Sequence, residues 1–263
     1  MSASYFCPAC NHGALGPGTC PRCLKVRKYI RLRPLAQMGA VPLHSVLADT
    51  TPRISLPGFP GIEDAMNGGL VPGSVTVLYG GAGLGKSTLA LQLVDQVRRI
   101  VTGSPLYCSS EQTREQIKMM ADRIGIVGSP VLVAYETSVT GIERLVTERT
   151  AFTVIDSLSN LLGVEPIETV TGQLVEIARS RGCAMILVLH ETKDGDYNAP
   201  RRVEHLVDCM VRLARIEGVT DGLTWTVVGK NRFGPINRTA RLWLTPEGVP
   251  VDGLRAPKRA RDD

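Results

Sequence analysis

The clearest chemistry in this chain belongs to a glycine-rich loop at positions 80–87, whose sequence GGAGLGKS fits the pattern G-x-x-x-x-G-K-[ST]. In that pattern the backbone N–H groups surround phosphate oxygens, the lysine reaches the β- and γ-phosphates, and the hydroxyl holds Mg²⁺. Residues 74–79 predict a strand and residues 87–100 a helix, which is the context the motif requires. An ordinary glycine turn would leave the Lys and the Ser unexplained. We therefore predict an ATP and Mg²⁺ site made by Gly80, Gly81, Ala82, Gly83, Leu84, Gly85, Lys86, Ser87 and Thr88.

Three further polar residues stand where apolar strands end. Asp156 closes the run Phe152-Thr153-Val154-Ile155, and a carboxylate there can orient Mg²⁺ beside Ser87, or simply cap a helix. Glu111 follows the strand at 105–109, where it can orient the water that attacks the γ-phosphate or stabilise the next helix N-terminus. His190 ends another apolar run and can sense the γ-phosphate, although a lone His is often structural. We count Asp156 and His190 with the nucleotide-binding residues and Glu111 as the candidate catalytic carboxylate.

A second cationic segment, Gly229-Lys230-Asn231-Arg232-Phe233-Gly234, lies near the carboxyl end of the sequence. Lys230 and Arg232 are two residues apart, so on an extended segment they project from the same face. Such a pair suits neutralising charge on a transferring phosphoryl group, including one held by a neighbouring subunit. A solvated turn explains the same composition, and the residues alone leave both interpretations open.

The amino-terminal region carries two Cys-x₂-Cys pairs, Cys7 with Cys10 and Cys20 with Cys23. This spacing is typical of a tetrahedral zinc site, and four thiolates leave no open position, which predicts a structural Zn²⁺. The remaining cysteines, Cys108, Cys183 and Cys209, stand in apolar strands and are predicted to be core residues.

The net charge of +5 is concentrated at the same end of the chain, because residues 1–33 hold six Lys or Arg and no Asp or Glu. Residues 25–33 alternate cations with apolar residues, as expected of a strand with one basic face or of a solubilising linker. Under the first interpretation Lys25, Arg27 and Lys28 contact nucleic-acid phosphates. No run of apolar residues is long enough for a membrane helix or resembles a signal peptide, so we expect a cytoplasmic protein with no membrane contact.

The alternation of apolar runs and helical stretches predicts an α/β fold with a mainly parallel central sheet. We expect a zinc module at 1–33, a linker at 34–54, an ATPase domain at 55–254 and a charged disordered tail at 255–263. Within the domain, residues 139–149 predict a helix and residues 191–200 a polar loop. Three late strands, beginning with 207–213, are expected to be antiparallel.

Taken in order, these motifs resemble the bacterial RadA (Sms) recombination proteins, whose ATPase core is RecA-like. The resemblance rests on the Cys₄ pattern, GGLVPGS before the phosphate loop, Ser109-Ser110-Glu111, the segment HETKDG from His190, and Lys-Asn-Arg-Phe-Gly at 230–234. It covers about residues 5 to 250. One departure is that Ser110-Glu111-Gln112-Thr113 replaces the family's usual Gly-Glu-Glu-Ser. Another is that the chain stops at residue 263, which we interpret as a short form lacking the Lon-protease-like C-terminal domain.

The resemblance implies a hexameric ring with ATP between subunits and DNA in the central channel. It makes Glu111 and Lys86 catalytic residues, with Glu111 as the catalytic carboxylate. His190 becomes a switch at the head of a DNA-contacting loop. Lys230 and Arg232 become trans-acting contacts to ATP or residues that couple ATP to DNA. The basic residues in and after the loop, expected to contact DNA, are Lys193, Arg201 and Arg202.

The main functional hypothesis is a helicase-like, DNA-dependent ATPase motor for homologous recombination and DNA repair. It would translocate on single-stranded or branched DNA, drive branch migration and work with a RecA-type recombinase. Two other classes remain open: a regulatory ATPase that controls protein partners, and a recombinase loader without motor activity. DNA-independent turnover would favour the regulatory ATPase, and partner binding that depends on residues 1–33 would favour the loader.

Overall fold

The chain divides into two compact units, Met1–Thr50 and Thr51–Asp263. The computed structural model describes residues 5–6, 13–14, 19, 21, 52–161, 165–190 and 198–251. In the first unit, strand β1 (Tyr5–Phe6) pairs antiparallel with strand β2 (Gly13–Ala14). The second unit contains the remaining elements that the structure describes.

The described residues of the second unit form eight strands and six α-helices. The strands are β3 (Val75–Gly80), β4 (Leu106–Ser109), β5 (Leu132–Tyr135), β6 (Phe152–Asp156), β7 (Ala184–His190), β8 (Cys209–Arg215), β9 (Gly222–Asn231) and β10 (Thr239–Trp243). The helices are α1 (Pro60–Ala65), α2 (Lys86–Val97), α3 (Arg114–Arg123), α4 (Val139–Leu145), α5 (Ile167–Arg181) and α6 (Asn198–Glu204), and a short 3-10 helix follows β6 at Leu158–Leu161.

All eight strands form one sheet in the order β10-β9-β8-β3-β7-β6-β4-β5. The six strands from β8 to β5 are parallel to one another, while β9 is antiparallel to both β8 and β10. The predicted α/β fold with a mainly parallel sheet is therefore confirmed. The first of the three late strands corrects our expectation, because β8 runs parallel to β3 and is antiparallel only to β9.

The core lies on both faces of this sheet. Along β7, Ile186 and Val188 pack into one hydrophobic cluster with α1, α2 and α3, while Leu187 and Leu189 pack into a second cluster with α4 and α5. Successive strand side chains point to opposite faces, so a strand covered on both sides must be apolar throughout. This explains why the central strands read as unbroken apolar runs.

Three local expectations differ from the structure. Helix α4 ends at Leu145, short of the predicted 149, and α6 begins at Asn198 within the segment expected to be a loop. Ile54, assigned by sequence to the linker, is buried and pairs with Leu70 in an isolated bridge. Among the described residues, no helix has both the length and the apolar character needed to cross a membrane.

Candidate active site

The glycine loop (residues 80–87) connects the end of β3 to the start of α2. It lies where the parallel strands end, which we call the carboxyl edge of the sheet. Gly85 adopts a left-handed conformation with φ +77°, and α2 begins at the next residue without a side-chain cap. At Gly80, with φ +154°, an added Cβ would lie 2.2 Å from the backbone oxygen of Leu213. Any other residue would be strained at Gly85 and would collide with the backbone at Gly80. The uncapped N–H groups at the start of α2 are therefore available to an anion.

Lys86 is the first residue of α2 and is only 3% exposed. Its Nζ donates hydrogen bonds to the backbone oxygens of Gly80, at 2.7 Å, and Gly81, at 2.8 Å. The two carbonyl groups compensate part of the cost of burying the ammonium group. A phosphate group in the loop would therefore meet a positive charge that has already lost most of its hydration.

Asp156 lies at the end of β6, 3% exposed, and the hydroxyl of Tyr107 donates a hydrogen bond to its Oδ2 at 2.5 Å. Burial, followed by the negative charge of Asp156, raises the pKa of Tyr107 well above its usual value, while a hydrogen bond with Ser87 acts in the opposite direction. Tyr107 therefore stays a protonated donor. The Oδ1 of Asp156 is buried and has no hydrogen-bond partner among the described residues. The structure thus joins the two residues predicted to hold Mg²⁺, Ser87 and Asp156, through one tyrosine.

Glu111 lies beside His190, since β4 and β7 flank β6 and all three strands end on the same side of the sheet. The Nε2 of His190 is 3.6 Å from Oε1 of Glu111, and the same oxygen accepts a hydrogen bond from the hydroxyl of Ser157. The backbone N–H of Glu111 donates to the hydroxyl of Ser109 at 3.1 Å. Because Gly80 pairs with His190 in the sheet, this group is next to the glycine loop. Both side chains are about one third exposed, so water can reach the carboxylate.

Lys230 and Arg232 lie at the other end of the parallel strands, where β3 and β8 begin. Asn231 pairs with Cys209 at the start of β8, and Asp208 hydrogen-bonds with Val75 at the start of β3, whereas the glycine loop follows the end of β3. The six residues of β3 separate the two edges by about 20 Å. The structure therefore does not bring Lys230 and Arg232 to the glycine loop of the same chain.

The family follows from comparison with known proteins. Residues 45–196 match the family described as "AAA domain". DNA repair protein RadA of Mycobacterium tuberculosis (strain CDC 1551 / Oshkosh) is 34% identical over 97% of this chain and 57% of its own length. The chain belongs to the RadA family.

Two more RadA proteins give the same result. RadA of Haemophilus influenzae is 32% identical over 79% of this chain and 46% of its own length, and RadA of Bacillus subtilis is 28% identical over 94% and 59%. The chain therefore spans about half the length of the relatives it matches.

The remaining site predictions for this RadA family chain fall in three places. Arg201 is exposed on α6, and Arg202 on the same helix forms an ion pair with Glu168 of α5, with Nε 2.6 Å from Oε1. Predicted site residues outside the described part of the chain are Cys7, Cys10, Cys20, Cys23, Lys25, Arg27, Lys28 and Lys193. Cys108, Cys183 and Cys209 are buried free thiols, which confirms their prediction as core residues.

The site fits MgATP on the chemistry of its donors. The orphaned Oδ1 of Asp156 and the adjacent Ser87 are the oxygen ligands that Mg²⁺ prefers, and such an ion usually completes its shell with water and substrate phosphates. Among the residues that the structure describes, no three His, Cys, Asp or Glu side chains could hold a metal ion by themselves.

Sequence reasoning missed two residues of this site, Tyr107 and Ser157. Tyr107 bonds to a residue 49 positions away, and Ser157 to one 46 positions away, so neither contact has a local signature. One signal was available for Tyr107: it is a polar-tipped residue in an apolar strand, two positions before the strand's last residue. Such a hydroxyl needs a partner when buried.

Proposed function

We propose that this chain hydrolyses ATP at the carboxyl edge of its sheet and uses the energy to move along DNA. The observation that supports hydrolysis best is the contact between Glu111 and His190 beside a buried Lys86. A carboxylate within reach of water, next to a loop that binds triphosphate, can orient the water and accept its proton. The match to the AAA domain family and the geometry of the glycine loop support the same reaction.

Each residue of the site has a role under this proposal. Lys86 and the N–H groups of α2 bind the phosphates, and Asp156 with Ser87 holds Mg²⁺, which neutralises phosphate charge when bound. Tyr107 keeps the carboxylate of Asp156 in one orientation. Glu111 positions the attacking water. His190 senses the state of the site through Glu111 and passes it to residues 191–197, which follow it directly.

The substrate and setting are also proposals. Relatives that cover nearly all of this chain bear the name DNA repair protein, which supports a role in DNA repair and homologous recombination. We propose that single-stranded or branched DNA is bound by Lys193, Arg201 and Arg202 and by the basic residues Lys25, Arg27 and Lys28. A RecA-type recombinase would be the protein partner, and the cytoplasm the compartment.

The position of Lys230 and Arg232 supports an assembly in which copies share active sites. The two cations lie at the edge of the sheet opposite to their own glycine loop, so they would serve the ATP of a neighbouring copy. A head-to-tail interface of this kind closes into a ring when the rotation allows it. We propose a RecA-like hexameric ring on this basis.

We propose further that Cys7, Cys10, Cys20 and Cys23 bind one structural Zn²⁺. The support is their spacing, since small modules with little core commonly depend on metal binding to fold. Metal analysis of the purified chain should find about one zinc per chain, lost in a Cys7→Ser/Cys20→Ser variant. A chain that carries no zinc when purified without chelators would contradict this assignment.

The first experiment is steady-state ATP hydrolysis with and without single-stranded DNA at two salt concentrations. We expect turnover that DNA stimulates, with a stimulation that weakens at higher salt because phosphate contacts release counterions. Lys86→Ala and Glu111→Gln should each lower kcat by at least about a hundredfold. Matched controls are Lys118→Ala and Glu115→Gln on the exposed face of α3, which should turn over like the wild-type chain.

The same data decide between the functional classes. A rate of ATP hydrolysis that DNA does not change at either salt concentration would contradict the motor hypothesis and favour a regulatory ATPase. DNA-stimulated turnover without any strand displacement or translocation would favour a loader. Full activity in Lys86→Ala would reject the nucleotide site itself.

A further inference from the structure

A buried carboxylate organises the cations at the edge of the sheet opposite to the glycine loop. Asp208 is 3% exposed and precedes β8. Its Oδ2 accepts a hydrogen bond from the backbone N–H of Val75 at 3.0 Å. Its Oδ1 lies 3.2 Å from Nη1 of Arg232 and 3.4 Å from Nη2 of Arg179, which belongs to α5. The backbone N–H of Arg232 also donates to the backbone oxygen of Asp208 at 2.9 Å.

Lys230 adds a third cation to this group. Its Nζ donates hydrogen bonds of 2.8 Å to the backbone oxygens of Glu204 and His205, at the end of α6. Burial, and after it the positive charge of Arg232, lowers the pKa of Lys230, while Asp208 and Glu204 act in the opposite direction. The three cations, Arg179, Lys230 and Arg232, thus lie close to two carboxylates, those of Asp208 and Glu204. Without Asp208 the cations would repel one another, so this carboxylate is what lets them lie close together.

Within the described part of the chain, the two guanidinium groups bond to no other side chain than Asp208, and both are about half exposed. Each guanidinium group carries about five N–H donors, and the contact with Asp208 uses one nitrogen of each. Their side chains are 49% and 48% exposed, so the outer part of each remains accessible. The planar guanidinium fork matches the oxygens of a phosphate group, and a pair of such groups fixed by a common carboxylate is preorganised to bind one.

We propose that Arg179 and Arg232, positioned by Asp208, form a site for the terminal phosphate of a nucleoside triphosphate held by a neighbouring copy of this chain. The inference rests on the proposed function, because it assumes that copies share active sites. It adds two residues that the sequence motif did not contain. Arg179 contacts the phosphate together with Arg232, and Asp208 is a positioning residue that acts through both.

The test compares Arg179→Gln with Arg181→Gln, a matched change two residues further along α5 at a side chain that does not contact Asp208. We expect Arg179→Gln to lower kcat at least about tenfold with little change in KM for ATP, and Arg181→Gln to behave like the wild-type chain. Because Arg179 is half exposed, its loss should leave the thermal midpoint nearly unchanged. Wild-type turnover in Arg179→Gln, or equal losses in the two variants, would overturn the proposal.

The positioning role of Asp208 has its own readout. Asp208→Asn keeps an oxygen for the N–H of Val75 but loses the charge that holds the two arginines. It should lower kcat by a similar factor, and adding Arg179→Gln should cost much less than it does in the wild-type background, because both changes act on one unit. Fully multiplicative losses would mean that Asp208 acts elsewhere. If Asp208→Asn does not fold, the Arg179 comparison still decides the proposal.

Mixing experiments separate this inference from the proposed function. Lys86→Ala chains keep the arginines but lack a working glycine loop, and Arg179→Gln chains have the reverse defect. In a random one-to-one mixture, about a quarter of the head-to-tail interfaces join an intact glycine loop to an intact arginine pair. Turnover should therefore rise above that of either variant alone. If mixtures with Arg232→Ala regain activity and mixtures with Arg179→Gln do not, only the role of Arg179 fails. If neither mixture regains activity, the sharing of sites fails and this inference fails with it.

Discussion

Tyr107 is the described side chain that hydrogen-bonds to Asp156, the strand-end carboxylate of the candidate active site. In a Tyr107→Phe variant, Asp156 would keep its buried position but lose the donor to its Oδ2, while its Oδ1 has no partner among the described residues. Leaving a buried acceptor without a hydrogen bond costs about 1–3 kcal/mol. We therefore expect the free energy of unfolding to fall by about that amount, measured by urea denaturation without nucleotide.

The matched control is Tyr135→Phe, because that tyrosine is 54% exposed on the edge strand β5. Removing its hydroxyl should change the free energy of unfolding by less than about 0.5 kcal/mol. Equal effects of the two changes would show that the bond to Asp156 contributes nothing specific. A Tyr107→Phe variant as stable as wild type would show that Asp156 finds another donor when the hydroxyl is removed.

The three core cysteines give a second prediction at the scale of single residues. Burial raises the pKa of the thiols to about 12 at Cys108, about 11 at Cys183 and about 12 at Cys209. Because the thiolate is the reactive form, iodoacetamide at about pH 8 should leave all three unmodified in the folded chain and label them in denaturant. Peptide mapping by mass spectrometry measures this. Rapid labelling of any one of them in the folded chain would contradict its buried position.

At the scale of elements, helix α3 begins with a capping box directly after the segment that contains Glu111. The N–H of Gln116 donates to the Thr113 hydroxyl, and the N–H of Thr113 donates to Oε1 of Gln116. Thr113→Ala should lower the free energy of unfolding by about 1 kcal/mol, whereas Thr113→Ser keeps an acceptor and should lose much less. Chemical denaturation of both variants measures the difference. Equal losses would assign the effect to the missing methyl group instead of the cap.

The elements that sequence predicted best are those fixed by local chemistry. The apolar run of β6 and the glycine loop each have their own signature, and the parallel strands bring Glu111, Asp156 and His190 together where they end. The direction of β8 depends on pairing with β3, more than a hundred residues earlier, and no local pattern encodes that choice. The role of Asp208 could not be predicted for the same reason, since its hydrogen bond to Val75 joins residues 133 positions apart. Only the folded chain reveals a residue whose role lies in such contacts.

At the scale of the whole molecule, the two groups proposed to act on one triphosphate lie at opposite edges of one sheet. Lys86 and Glu111 belong to the carboxyl edge of the parallel strands, and Arg179 and Arg232 to the other edge. The length of β3 alone keeps them about 20 Å apart, and the hydrogen bonds of a central strand prevent that distance from closing within one chain. An isolated chain would then hold two halves of two different sites.

This separation predicts that turnover depends on chain concentration. At saturating ATP, specific activity per chain should be low where light scattering shows monomers and should rise as assemblies form, because only then does a triphosphate meet the arginines of a second copy. Arg232→Ala supplies the control, since its low residual activity should stay constant over the same range. Wild-type specific activity that does not change while the chain passes from assembly to monomer would mean that one copy contains every group it needs. The cations at the far edge would then have to serve DNA or a partner, with no part in the hydrolysis of ATP.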